Sequence, residues 1–249
     1  MTGLIDCDFV PYLVCYNKIG ESEKTLEDCI KGADNYLLGL INGCNLSNFL
    51  LFFTVGKNFR YTIDTQYKAN RVNSVKPSYF NEIKDYLISE YNGIYDTNWE
   101  ADDLVSTYKR YYMDNIKPYI VISPDKDLMN LEGVNYNIKL NTINNINKEH
   151  EMLFFWKSVI SGDTADGIKG LPGKGKVYAD KIINNSKIED YASNVLKEYI
   201  KQFGEEIGIN EFYKNYKLLK IKDSIENIEF IEPVNVSKVY AKTLNVARE

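Results

Sequence analysis

Nine acidic residues fall into four groups whose spacing could hold a cation. Asp6 and Asp8 are two apart at the end of an apolar run, Leu4-Ile5-Asp6-Cys7-Asp8, so their side chains share a face if the run is a strand. Glu100, Asp102 and Asp103 open a helical pattern, Asp125 and Asp127 follow the apolar run Tyr119–Ser123, and Asp163 and Asp166 precede a Gly-dense segment. Carboxylates brought together without cations repel one another, so a cluster of this size calls for neutralisation. All-oxygen donors with neither His nor Cys beside them suit Mg²⁺ or Mn²⁺ rather than Zn²⁺. Two such ions can activate water and stabilise the leaving oxygen in phosphodiester hydrolysis. Each group also has an ordinary reading. Acids in a helix's first turn complement the macrodipole, and Asp-Lys-Asp after a strand is a common turn.

The elements that must position these groups alternate. The apolar run at Leu4, the continuous run Asn48–Val55 and Tyr119–Ser123 read as strands, with Asn135–Leu140 as a further one. Thr25–Ile41 has helical spacing and stops at Gly43; a helix starting at Pro77 places Tyr79, Ile83, Tyr86, Leu87 and Tyr91 on one face; Glu100–Met113 reads as another. Alternating strands and helices give an α/β unit with a mainly parallel sheet, whose ligand sites lie outside the carboxyl ends of the strands. From about Glu149 the pattern is mostly helical, interrupted by Gly162–Gly175, which holds five of the 15 glycines. The expected boundary lies near residues 145–158, taken as 155/156.

Composition removes several classes. The chain has 249 residues, 30 Lys+Arg against 35 Asp+Glu, and a single histidine, His150, which leaves no Ser-His-Asp relay and no HExxH zinc site. Cys7, Cys15, Cys29 and Cys44 form no CxxC pair, so reduced thiols are expected. No signal peptide pattern opens the chain, and Phe49–Val55 is far shorter than the roughly 20 apolar residues of a membrane helix. A net charge of −5 would ordinarily oppose nucleic-acid binding, yet setting the nine grouped acids aside leaves 26 acids against 30 cations. The acidity is concentrated in the proposed metal centre of a mildly basic chain.

In order along the chain, Leu4–Asp8, Asn58-Phe59-Arg60, Tyr67-Lys68-Ala69-Asn70-Arg71, Glu100-Ala101-Asp102-Asp103, Ile122–Asp127 and Ser161–Gly175 resemble the 5′-nuclease (flap endonuclease) superfamily. Within it, the likeness is to compact bacteriophage 5′→3′ exonucleases. The resemblance implies a PIN-like α/β domain (residues 1–155, with a basic arch at about 57–98) and a mostly helical helix–three-turn–helix (H3TH) DNA-binding and C-terminal region (156–249). It implies that Asp6, Glu100, Asp102 and Asp125 serve one Mg²⁺ or Mn²⁺ ion. Asp127, Asp163 and Asp166 would serve a second, with Asp8 and Asp103 as outer-shell or structural carboxylates. The family usually carries another metal-site aspartate at the end of the second strand, where this chain reads Phe53-Thr54-Val55.

By the same resemblance, Lys68 acts on the scissile phosphate, Arg71 on a neighbouring one, and Tyr67 stacks a terminal base. Lys57 and Arg60 widen the basic region. Glycines let backbone amides approach phosphate at a helix N-terminus, so Gly170, Gly173 and Gly175 with Lys169, Lys174 and Lys176 would grip duplex backbone. The family's element also binds K⁺. The expectation is a two-metal 5′→3′ exonuclease on duplex DNA with 5′ ends or flaps, together with flap cleavage or RNA-primer removal on RNA–DNA hybrids. It would be a monomer in the cytoplasm, a host cell's if the source is a phage. Two alternatives stay open: a catalytically impaired structure-specific DNA-binding protein, and a PIN-type ribonuclease.

Overall fold

The computed structural model describes residues 1–16, 24–71 and 74–246. In chain order it comprises β1 (Thr2–Asp6), α1 (Val10–Cys15), α2 (Leu26–Gly43), β2 (Asn48–Thr54), α3 (Arg60–Ile63), α4 (Phe80–Tyr91), β3 (Ile94–Asp96), α5 (Ala101–Asp114), β4 (Tyr119–Ser123) and α6 (Lys126–Met129). There follow β5 (Gly133–Asn137), β6 (Thr142–Ile146), α7 (Lys148–Ser161), β7 (Gly162–Asp163), β8 (Ile168–Lys169), α8 (Lys176–Ile183), α9 (Tyr191–Phe203), α10 (Glu205–Leu219), β9 (Val234–Asn235) and α11 (Ser237–Val246).

The central sheet has the order β3-β2-β1-β4-β5-β6, parallel from β3 through β5. β6 closes one side as an antiparallel hairpin with β5, and β9 pairs antiparallel with β2. The continuous apolar runs are explained by burial on both faces. Along β2, Phe49, Leu51 and Phe53 join a core with α1, α2 and α4, while Leu50 and Phe52 face a second core under α5. A third core, centred on Trp156, Tyr199 and Phe212, holds α7 to α10 together. The α/β class with a mainly parallel sheet and a following helical region is therefore the observed one.

Four expectations change. The division at 155/156 falls within α7, one unbroken helix: Glu151 near its start pairs with Lys109 of α5 at 3.8 Å, whereas Trp156 and Ile160 belong to the helical core. The chain after α10 also returns to the first layer. Ile221, Ile225 and Ile228 pack under α5, β9 extends the sheet, and Val239 of α11 is buried in the first core. The span 57–98 is not all arch, because Phe80, Ile83, Leu87 and Tyr91 of α4 are core residues. Residues 72–73 of that span lie outside the described residues. The helix expected from Pro77 begins at Phe80, after Tyr79 in a left-handed conformation (φ 62°).

Candidate active site

The carboxyl ends of β1 and β4 lie side by side, since Ile5 registers with Ile122. Asp6 ends β1, and its Oδ2 accepts from the buried Ser123 hydroxyl of β4 at 2.8 Å. The same hydroxyl accepts from the Asp125 amide at 2.9 Å, so Ser123 ties the two acidic turns together. Asp125 caps α6 by accepting from the Asp127 amide at 2.7 Å. The turn after β1 places Asp8 beyond the strand, where its Oδ1 accepts from the Thr54 amide at 2.9 Å. Thr54 in turn accepts from the amide of Ala101 at 2.9 Å, fixing the start of α5 beside the end of β2. Glu100 and Asp102 reach the site from there.

A cavity of about 240 Å³ is lined by Asp6, Asp8, Glu100, Asp102, Asp125, Asp127 and Asp166, together with Lys68, Arg71 and Lys139. Six of the seven expected metal carboxylates thus meet at one place. The seventh, Asp163, is drawn in through Lys126, whose Nζ lies 2.6 Å from Asp163 and 3.4 Å from Asp127. Among the described residues no three acidic or sulfur side chains already form a coordination shell. The carboxylates share a cavity.

The charges are unevenly compensated. Glu100 is buried, which alone would raise its pKa. Lys68 at 2.7 Å and Arg60 at 3.4 Å outweigh that and hold it below the usual value. Asp163 is likewise buried but kept low by Lys126. Asp6 is pushed up to about 7 by burial and then by Asp8, and Asp127 to about 7 by burial and then by Asp125. Asp102 is raised by burial, followed by Asp125, Asp6 and Glu100. Among the described residues Asp6, Asp102 and Asp125 have no ion-pair partner. Crowded oxygen donors with uncompensated charge are a donor set that fits a hard divalent cation.

Lys68 stands at φ 55°, a left-handed conformation uncommon for a lysine, held by its amide donating to the Asp166 carbonyl at 2.9 Å. Its ammonium sits between Glu100 and Asp166, the latter at 3.8 Å, and the Arg71 guanidinium also pairs with Asp166. This cation pair links the polar stretch after β2 to the segment preceding the Gly-dense turn.

Several expected roles do not survive the geometry. Arg60 is 2% exposed, so it cannot be a phosphate contact. Its guanidinium donates to both Asp103 oxygens at 2.6 and 2.8 Å and to the carbonyls of Leu218 and Lys220. Asp103 is fully buried in that ion pair and does not line the cavity, which fits the structural one of its two expected roles. Tyr67 is 3% exposed and cannot stack a base; its hydroxyl donates to Glu100 at 3.0 Å and lies 3.1 Å from Asp166. Gly170 serves packing: a Cβ there would meet the Ile160 carbonyl at 2.2 Å and the Gly162 amide at 2.3 Å. At the end of β2 the cavity is lined by Thr54 and not by Val55, so this strand contributes no carboxylate to it.

Asp8 lines the cavity, paired with Lys84 at 3.7 Å. Lys57 is exposed. Gly173 has φ 70° in open space, Gly175 caps α8, and Lys169 and Lys176 are exposed around that turn, with Lys174 over the Tyr178 ring. Ser123, Asn58 (2.8 Å from Glu100), Lys84, Lys126 and Lys139 were assigned no role from the sequence, although Asn58, Ser123 and Lys126 stand within its motifs. Lys126 could have been given one, because it lies within the Asp125-Lys-Asp127 motif.

The chain belongs to the 5′-3′ exonuclease family with the N-terminal resolvase-like domain, whose pattern matches residues 4–157. It is similar to a 5′-3′ exonuclease of Mycoplasmopsis pulmonis (strain UAB CTIP), 28% identical over 169 residues, covering 61% of this chain and 55% of the relative. It is also similar to an exodeoxyribonuclease of Enterobacteria phage T3, 27% identical over 183 residues, covering 71% and 59%. The chain thus spans less than two thirds of the length of these two relatives. In fold it resembles bacteriophage T5 flap endonuclease, solved as a pseudo-enzyme-product complex with DNA and metal ions (TM-score 0.71, 15% identity, 100% of this chain and 99% of that one). It also resembles the catalytic core of Rad2 in complex with DNA substrate (TM-score 0.58, 13% identity, 99% and 85%).

Proposed function

We propose that the chain is a divalent-metal-dependent 5′→3′ exonuclease and flap endonuclease on duplex DNA, cutting phosphodiesters to leave 5′-phosphates. The observation that carries this reading is the single cavity in which six of the proposed ligand carboxylates meet Lys68 and Arg71. Asp6, Asp102 and Asp125 would hold one Mg²⁺ or Mn²⁺ ion with Glu100 beside them, and Asp127, Asp163 and Asp166 a second. Bound there, the ions would lower the pKa of water and stabilise the leaving oxygen.

The chain's own residues supply the rest. Lys68 and Arg71 offer positive charge where the reacting phosphate gathers negative charge. Ser123 and Thr54 fix the acidic turns against each other through the hydrogen bonds described above. Exposed Lys169 and Lys176 and the Gly173–Gly175 turn would hold duplex backbone, and K⁺ is proposed there on the family resemblance alone. Among the described residues no helix is long and apolar enough to cross a membrane. We propose that the protein acts as a monomer in the cytoplasm, with RNA–DNA hybrids as further substrates.

The test is product analysis on 5′-labelled duplex, flap, hybrid and single-stranded RNA substrates with Mg²⁺, Mn²⁺ or chelator. Metal-dependent release of 5′-phosphorylated nucleotides from DNA is expected. Tight flap binding without cleavage would instead make it a structure-specific binding protein, a reading favoured by the end of β2, where the cavity receives Thr54 and no carboxylate. Cleavage confined to RNA would make it a PIN-type ribonuclease.

A further inference from the structure

The cavity wall includes a cation that none of the roles above uses. Lys139 sits in the turn between β5 and β6, where β5 has left the sheet at the same end as Asp6 and Asp125. The turn is well built. The Ile138 amide donates to the Ser123 carbonyl at 3.3 Å, anchoring its base to the end of β4. The Leu140 amide donates to Asn137 Oδ1 at 3.1 Å, and the Tyr136 hydroxyl donates to Asn141 Oδ1 at 2.8 Å. Asn141 takes the left-handed conformation (φ 52°) that turns the chain into β6.

Seven acids and three cations line the cavity. Lys68 and Arg71 are committed to Glu100 and Asp166, whereas Lys139, among the described residues, has neither an ion pair nor a hydrogen bond. A polyanion approaching so acidic a cavity is repelled unless cations at its wall meet the backbone. Lys68 and Arg71 must exchange a carboxylate for phosphate before they can do so. Lys139 is free to bind at once.

We infer that Lys139 is a DNA-backbone contact, binding a phosphate that flanks the scissile one from the β5–β6 side of the site. This rests on the nuclease reading and adds a substrate contact to it. A contact of this kind stabilises the bound substrate and the transition state alike, so it lowers KM and leaves kcat alone.

The experiment measures equilibrium binding of a 5′-overhang DNA duplex in chelator across a salt series, followed by steady-state cleavage with Mg²⁺. The proteins are the native chain, Lys139→Ala, Lys139→Arg, Lys139→Glu and, as a control at an exposed position of α9, Lys201→Ala. Lys139→Ala should weaken binding about three- to fivefold and reduce the salt slope by about 0.9, with KM raised and kcat held. Lys139→Arg should restore both, Lys139→Glu should be worse than alanine, and Lys201→Ala should match the native chain. Native binding with a slope unmoved by Lys139→Ala, or a loss confined to kcat, overturns the assignment alone. A native chain that neither binds DNA in chelator nor cleaves it with Mg²⁺ overturns the nuclease reading and this contact together.

Discussion

The Arg60 guanidinium donates to both oxygens of Asp103, at 2.6 and 2.8 Å, in a site almost closed to water. Asp103 also accepts from the amides of Glu100 and Lys222. Arg60 donates to two carbonyls at the end of α10. One ion pair therefore joins the start of α5, which carries Glu100 and Asp102, to the chain leaving the helical region. Removing one partner strands the other charge in a dry interior. Arg60→Ala is expected to cost about 3–5 kcal/mol and to lower Tm by roughly 10 °C in thermal unfolding. A surface residue holding DNA would show a binding defect without that loss.

The burial of Arg60 also shows where sequence reading stops. Asn48–Thr54 and Tyr119–Ser123 were legible as strands because burial on both faces leaves uninterrupted apolar runs. β3, β6 and β9 are short or polar edge elements, and no such run marks them. The acidic groups were legible because turns at strand ends and a helix start dictate where they point. Arg60 and Tyr67 were misread because sequence gives charge and aromaticity but not exposure. Arg60 is covered by carbonyls 158 and 160 residues away, and Tyr67 packs with Ile168 and Leu218. Those contacts exist only once the helical region has docked.

Lys68 lies between Glu100 and Asp166, where burial lowers its pKa but the two carboxylates raise it further, so it is charged at neutral pH. In the proposed reaction it meets charge that develops on the phosphate. Lys68→Ala is expected to reduce kcat about 10²–10³-fold, with a smaller change in KM. Arg60 still faces Glu100 in that variant, so the fold should persist with a native circular-dichroism spectrum. An affinity defect with kcat retained would contradict the role.

Metal and protons should compete for the acidic cavity. Asp6, with an ordinary value of 3.8, is pushed up to about 7 by burial and then by Asp8. Between about pH 4 and pH 7 the native state therefore holds a proton that the unfolded chain has released, so metal-free stability falls as pH rises through this window. A divalent ion that binds only the native, ionised site offsets this loss. The Mg²⁺-induced rise in Tm should be small near pH 5 and large near pH 8. Asp125→Asn should shrink it at pH 8 and abolish cleavage while DNA binding in chelator persists. An equal rise at both pH values would mean that Asp6 is not near the ion.

Two glycines in the Gly-dense segment should separate packing from binding. Gly170 lies against the backbone where α7 meets β7, and an added Cβ would come within 2.4 Å of Ile160 O, Gly162 N and Ser161 C. Backbone on three sides cannot yield as a flexible side chain does. Gly170→Ala is therefore expected to destabilise by several kcal/mol, about 3 or more, visible as a lower midpoint in urea unfolding with the m-value retained. Gly173 has φ 70°, and a Cβ added there would meet nothing within 4 Å, so Gly173→Ala incurs only the left-handed backbone penalty of about 1 kcal/mol. Its larger effect should be on duplex binding, because alanine favours a different path for the turn that leads into α8 and its N-terminal amides. If Gly173→Ala binds duplex like the native chain while Gly170→Ala unfolds early, the turn carries no phosphate. The grip around α8 would then rest on its lysine side chains, Lys169 and Lys176 among them.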